Sequence, residues 1–220
     1  MKLSKKELNL FYSIWLPLLY GINLKNMFCP ELPILDPNHF NPFIFQQLRI
    51  IREKIWDEPQ LIDEFLADPG LCSFNVEERK IVLDIREHFI KKSFILIEHQ
   101  KNYSLLMTND DEPTRLFGVL GLSSSIKSAV RLPLPVLITT VLFPFRDKIV
   151  YDGIIEIHSE RYSAEELASI QARFFDAKNK IGITETLNGQ PVLPLNRKQN
   201  ITRLEKKVKK MSSSRRRLKK

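Results

Sequence analysis

Residues 132–155 read LPLPVLITTVLFPFRDKIVYDGII, and this stretch decides the fold class. Val136 to Phe143 is a run of β-branched and apolar residues, the pattern of a buried strand. Pro144 to Lys148 has turn composition. Ile149, Tyr151, Gly153, Ile155 and Ile157 then fall on one face of a predicted second strand. Lys148, Asp152, Glu156 and His158 fall on its other face, and Asp152 reads as facing solvent. Gly153 is a candidate for a bulge or a tight backbone approach.

Upstream of this hairpin the strand character begins near Ser93. Phe94 to Ile97 is a strand candidate, Lys101-Asn102 a turn, and Tyr103 to Met107 a returning strand. Asn109 to Pro113 is a polar connection, Thr114 to Leu120 a third strand, and 121–131 a loop or short helical turn. Five short strands in so short a span predict a small antiparallel sheet or partly open barrel, a form that also protects strand edges.

Before residue 92 the pattern is helical. Ser4 and Glu7 have capping-box spacing, followed by Phe11, Trp15 and Ile22 on one stripe, with Pro17 expected to kink or shorten that helix. Residues 23–40 read as irregular. Asn41 and Pro42 open a second helix with Phe45, Leu48, Ile51, Ile55 and Trp56 on its apolar side. A short third helix spans about Pro59 to Ala67, and Asn75 with Glu78 caps a fourth. After the sheet, Ser163 and Glu166 cap one more helix, with Leu167, Ile170, Phe174 and Ala177 as its stripe. The class is therefore α+β: a helical region at 1–92, a small sheet or barrel with a helix at 93–195, and a flexible basic tail at 196–220. The region at 1–92 is open to being part of one integrated domain with the sheet.

The positive charge is confined to that tail. The 220 residues carry a formal charge of +8, but 197–220 alone holds twelve Lys and Arg against the single acid Glu205. The preceding 196 residues hold 22 bases and 25 acids, so a body of −3 carries a tail of +11. A whole-chain argument for nucleic-acid binding from its basicity therefore fails, whereas one about the tail stands. Its candidate phosphate contacts are Arg197, Lys198, Arg203, Lys206, Lys207, Lys209, Lys210, Arg215, Arg216, Arg217, Lys219 and Lys220. RNA and DNA satisfy this chemistry equally. An anionic membrane surface or an acidic protein partner is a further candidate, and so is a purely solubilising tail on an interaction or scaffold module. Ile201, Leu204, Val208 and Met211 recur at helical spacing within it.

A second candidate surface is Phe143, Phe145, Arg146 and Lys148, where aromatic rings beside cations suit base stacking. The competing and stronger reading puts both rings in the core and the charges in a turn. A metal or acid–base site from Glu98, His99, Glu156 and His158, as in a metal-dependent hydrolase, is a distant third because no compact ligand spacing is present. Gly118 to Ser125 lacks the lysine end of a phosphate loop and reads as a strand running into a serine-rich loop. No cofactor motif occurs. Cys29 and Cys72 form no CxxC pair and fit a reducing, cytoplasmic setting. Leu8–Ile22 lacks a small-residue cleavage site and reads as a buried helix, too short and interrupted for a membrane span.

The segments WLPL at 15–18, FILIEH at 94–99 and above all 132–155 resemble a group of uncharacterised bacterial proteins, over most of residues 5–187. The most specific part is Leu142 to Gly153. No activity is established for that group, so the resemblance implies no catalytic role. Similar proteins often continue with a glycine-rich turn, whereas this chain has Glu156-Ile-His-Ser-Glu-Arg-Tyr162, which argues against a glycine-rich anion-binding loop.

Overall fold

A computed structural model of the protein describes residues 1–35 and 41–188. Within it the chain forms α1 (Lys5–Asn26), α2 (Pro42–Asp57), α3 (Gln60–Ala67) and α4 (Val76–His88), then β1 (Ile90–His99), β2 (Ser104–Thr108) and β3 (Leu116–Leu120). The short α5 (Ile126–Ala129) leads to β4 (Val136–Phe145), β5 (Lys148–Tyr151) and β6 (Glu156–His158). Finally come α6 (Ala164–Lys180) and β7 (Ile183–Thr184). The described residues form one compact unit by contact. The tail at 196–220, including the Ile201–Met211 periodicity, lies outside the described residues.

The helices begin where local chemistry predicts. Ser4 accepts from the Glu7 amide at 3.3 Å while the Glu7 carboxylate accepts from the Ser4 amide at 3.0 Å. Asn75 with Glu78 and Ser163 with Glu166 repeat that reciprocal box. Asn41 caps α2 through the Ile44 amide at 2.9 Å. Pro17 neither stops nor shortens α1, which runs 22 residues through it. The carbonyl that Pro17 leaves without its helical donor belongs to Ser13, and both residues are exposed, so that carbonyl is not shut away from solvent. Phe45 is a second correction: it is 49% exposed rather than part of the α2 core. Among the described residues no helix is long and apolar enough to cross a membrane.

The strands form a mixed sheet, not a purely antiparallel one. β4, β1, β2 and β3 lie side by side in that order, all antiparallel, which is a Greek key. β5 pairs antiparallel with β4 and parallel with β3, so the ladder returns on itself. Only two residue pairs, Val119 with Ile149 and Leu120 with Val150, make that last junction. The result is a strongly curled, partly open five-stranded arrangement rather than a clean barrel. β6 extends the free part of β4, and β7 pairs parallel with β3.

Two apolar layers follow from strand alternation. Phe94, Leu96, Leu106, Phe117 and Val119 face one core, shared with α1–α4. Ile95, Leu105, Met107 and Leu116 point the other way and are covered by Ile170 and Ala177 of α6. From Val141 onward β4 is buried on both sides, which is why its sequence is a continuous apolar run instead of an alternation.

The predicted single strand at 148–157 is broken into β5 and β6. Leu142 pairs with Tyr151 and Thr139 with Glu156, so two residues of β4 oppose four, Asp152–Ile155, on the other chain. Gly153 makes this excursion with φ of 96°, and Thr140 Oγ1 anchors it by donating to the Ile154 carbonyl at 2.7 Å. The excursion reverses the predicted direction of Asp152: it is buried, not solvent-facing.

Candidate functional site

Phe143 and Phe145 are not a stacking surface. They are 0% and 1% exposed and pack on Phe11, Phe143 in a parallel stack and Phe145 edge-on. Phe143 also contacts Trp15 and Trp56. Arg146 and Asp147 form the tight turn between β4 and β5, Arg146 with φ of 58°. Arg146 is paired with Glu77 at the start of α4, and Lys148 with Glu7 in the first turn of α1. The segment's cations thus tie the hairpin to two helices.

The histidine set does not assemble. His99 Nδ1 lies 2.9 Å from Ser104 Oγ, and His158 Nε2 lies 2.9 Å from Thr139 Oγ1, which in turn contacts Ser93 Oγ at 2.8 Å. Glu98 accepts from Gln100 at 2.5 Å, and Glu156 reaches Arg49 only at 4.0 Å. Among the described residues no group of three His, Cys, Asp or Glu side chains is placed to hold a metal ion. The Gly118–Ser125 stretch is equally occupied: the Gly121 amide donates to the Met1 carbonyl at 3.2 Å, and the Gly121 carbonyl accepts from Leu3 at 3.0 Å.

The chemically unusual place is one that pattern reading passed over. Arg52, in the third turn of α2, has only 8% of its side chain exposed and forms an ion pair with Asp152, whose side chain is 0% exposed. The same Asp152 Oδ2 accepts from Trp56 Nε1 at 2.8 Å, and Oδ1 accepts from the Ile154 amide at 3.3 Å. A second Arg52 nitrogen donates to Glu53, while Nη2 has no acceptor among the described residues. Burial pushes the Asp152 carboxyl up from its ordinary range, against the pull of Arg52 and Trp56 in the other direction.

This cluster forms part of the wall of a cavity of about 390 Å³ between α1, α2, the loop after β3 and the excursion at Asp152. Phe11, Tyr12, Trp15, Phe45 and Tyr151 supply aromatic surface. Trp15 stacks on Trp56 at 5.5 Å between centroids, so the rings continue behind the wall. Tyr151 is 6% exposed, and its hydroxyl has no hydrogen-bond partner among the described residues. Its pKa is pushed up to about 12 by burial and then by the charge of Asp152. A signal for this site was present in the sequence: Leu48, Arg52 and Trp56 are four residues apart, so Arg52 lies on the buried stripe of α2. No family model, curated protein or solved structure matches the chain.

Proposed function

We propose that this is a non-enzymatic binding protein whose basic segment 197–220 contacts nucleic-acid phosphates, of RNA or of DNA. The observation that carries the reading is the partition of charge, +11 in 24 residues beside a body of −3. Several of the body's own cations are committed internally. Lys91 is shared by Glu53 and Asp57, Arg86 is on Asp63, Lys92 is on Asp111, and Arg146 and Lys148 pair as above. The fold adds a second consideration. Five-stranded Greek-key barrels of the OB type bind oligonucleotides on the outer face of strands 2 and 3. Here that face carries Leu105, Met107 and Leu116 beneath α6, which leaves phosphate contact to the segment. Such contact positions without reading sequence. No cofactor enters this function, and a cytoplasmic setting with Cys29 and Cys72 reduced belongs to the same reading.

The test compares the full chain with a variant in which the twelve basic residues of 197–220 are replaced by Gln. Fluorescence anisotropy with a labelled single-stranded RNA and a labelled DNA duplex at low salt reads the outcome. The full chain is expected to bind in the micromolar range and the variant to lose that binding. Equal lack of binding by both proteins contradicts the proposal and leaves a solubilising segment on a protein-interaction module. Retained binding by the variant moves the interface to the body.

A further inference from the structure

We propose that the cavity beside Arg52 and Asp152 is a binding site for a small, neutral aromatic molecule that carries a hydrogen-bonding group. Three observations lead there. The first is size and lining: about 390 Å³ is within the range of ligand pockets, and its walls are aromatic rings with a few polar heads. Flat ligands fit such walls because rings pack on rings in offset or edge-on geometry.

The second is the state of those polar heads. Tyr151 is more than nine-tenths buried, lines the cavity and brings a hydroxyl with no partner among the described residues. The Tyr12 hydroxyl, also on the wall, has none among them either, and Arg52 keeps Nη2 without an acceptor. None of the three is a fully enclosed atom left without a partner, so each meets solvent at the cavity wall, where a ligand's donor or acceptor can take the place of that water. Arg52 also borders a second cavity, toward Thr139 and Glu156, but that one is lined by Arg49, Glu53, Lys91 and Glu156 and lacks aromatic walls.

The third is charge. Arg52 is already matched by Asp152 and Glu53, so the wall is close to neutral. An anionic ligand would lie beside the Asp152 carboxylate, and a cationic one beside the Arg52 guanidinium. Either adds an unmatched charge beside a buried ion pair, whereas a neutral ligand adds none. The site is independent of the basic segment, and its failure leaves the nucleic-acid reading untouched.

The chain's only two tryptophans report on the site, since Trp15 lines it and Trp56 stacks behind it. Three probes of one ring size and different charge separate the possibilities: benzamide, benzoate and benzamidine. Each is titrated into the ¹⁵N-labelled full chain while the two indole N–H resonances are followed. Benzamide is expected to shift them saturably, with about tenfold weaker response to either charged probe, a difference near 1.4 kcal/mol. Tyr151→Phe is expected to weaken benzamide roughly three- to tenfold, the loss of one hydrogen bond. Phe45→Ala, on an exposed wall residue whose loss leaves the core intact, is expected to weaken it as well. Absence of a saturable shift overturns the proposal. Equal binding of benzoate or benzamidine overturns the neutral-ligand assignment, and indifference to both substitutions overturns the location.

Discussion

Arg52 and Asp152 are a hundred positions apart, and their ion pair is buried. Asp152 is fully enclosed, so its charge is tolerable only while Arg52 and Trp56 contact it. Arg52→Met is therefore expected to cost about 3–5 kcal/mol in urea unfolding, because it leaves an unmatched buried carboxylate. Asp152→Ala leaves the complementary cation. The double variant is expected to fall short of the sum of the two losses by at least ~1 kcal/mol. Additive losses would show that the pair is not coupled. Glu7 gives a pH-dependent counterpart. Lys148, then the Ser4 cap, holds its carboxyl down to about 2 from an ordinary 4.5. A group with a lowered folded pKa stabilises above its unfolded value and loses that contribution as pH falls through the folded one. Glu7→Gln is thus expected to lower Tm at pH 7, with the difference from wild type shrinking between pH 4.5 and pH 2. A difference unchanged across that window would contradict the assignment.

At the scale of elements, legibility followed the range of the interactions. Capping boxes are complete within four residues, so Ser4, Asn75 and Ser163 marked their helices in the sequence as clearly as in the structure. Short apolar runs bounded by turn residues located β1, β2 and β3, because each has one face on the helical core and the other under α6. Pattern reading failed at Asp152–Ile155, where Gly153 lifts the chain out of the ladder and an apparently continuous strand hides two. It also could not show the parallel contact of β3 with β5, which depends on closure of the whole ladder. Helix crossings are equally silent in sequence. Gly21 of α1 lies so close to Phe65 of α3 that an added Cβ would stand 2.3 Å from its ring. Phe65 is 1% exposed and packs edge-on against Phe74. Gly21→Ala is expected to destabilise by about 1–3 kcal/mol despite its better helix propensity, measured by thermal or denaturant unfolding. A stabilised variant would mean that the two helices yield without cost.

For the whole molecule, the candidate site was legible only in part. The sequence placed Phe143 and Phe145 correctly in its stronger reading, as core, and the structure removes the stacking alternative. Arg52 was not singled out in the sequence, because its partner Asp152 lies across the fold. The +8 net charge was misleading until divided, since the body and the basic segment have opposite sign. That division makes the salt dependence of nucleic-acid binding the most direct test of the account. Equilibrium binding of the full chain to a DNA duplex and to single-stranded RNA is measured from low to moderate salt, and log K is plotted against log [salt]. If six of the twelve cations each cover one phosphate, the slope is about −5 on the duplex and about −4 on the single strand. A steep slope of this kind, abolished by the twelve Gln substitutions, is the predicted result. Undetectable binding at low salt, or binding whose strength does not change with salt, contradicts it.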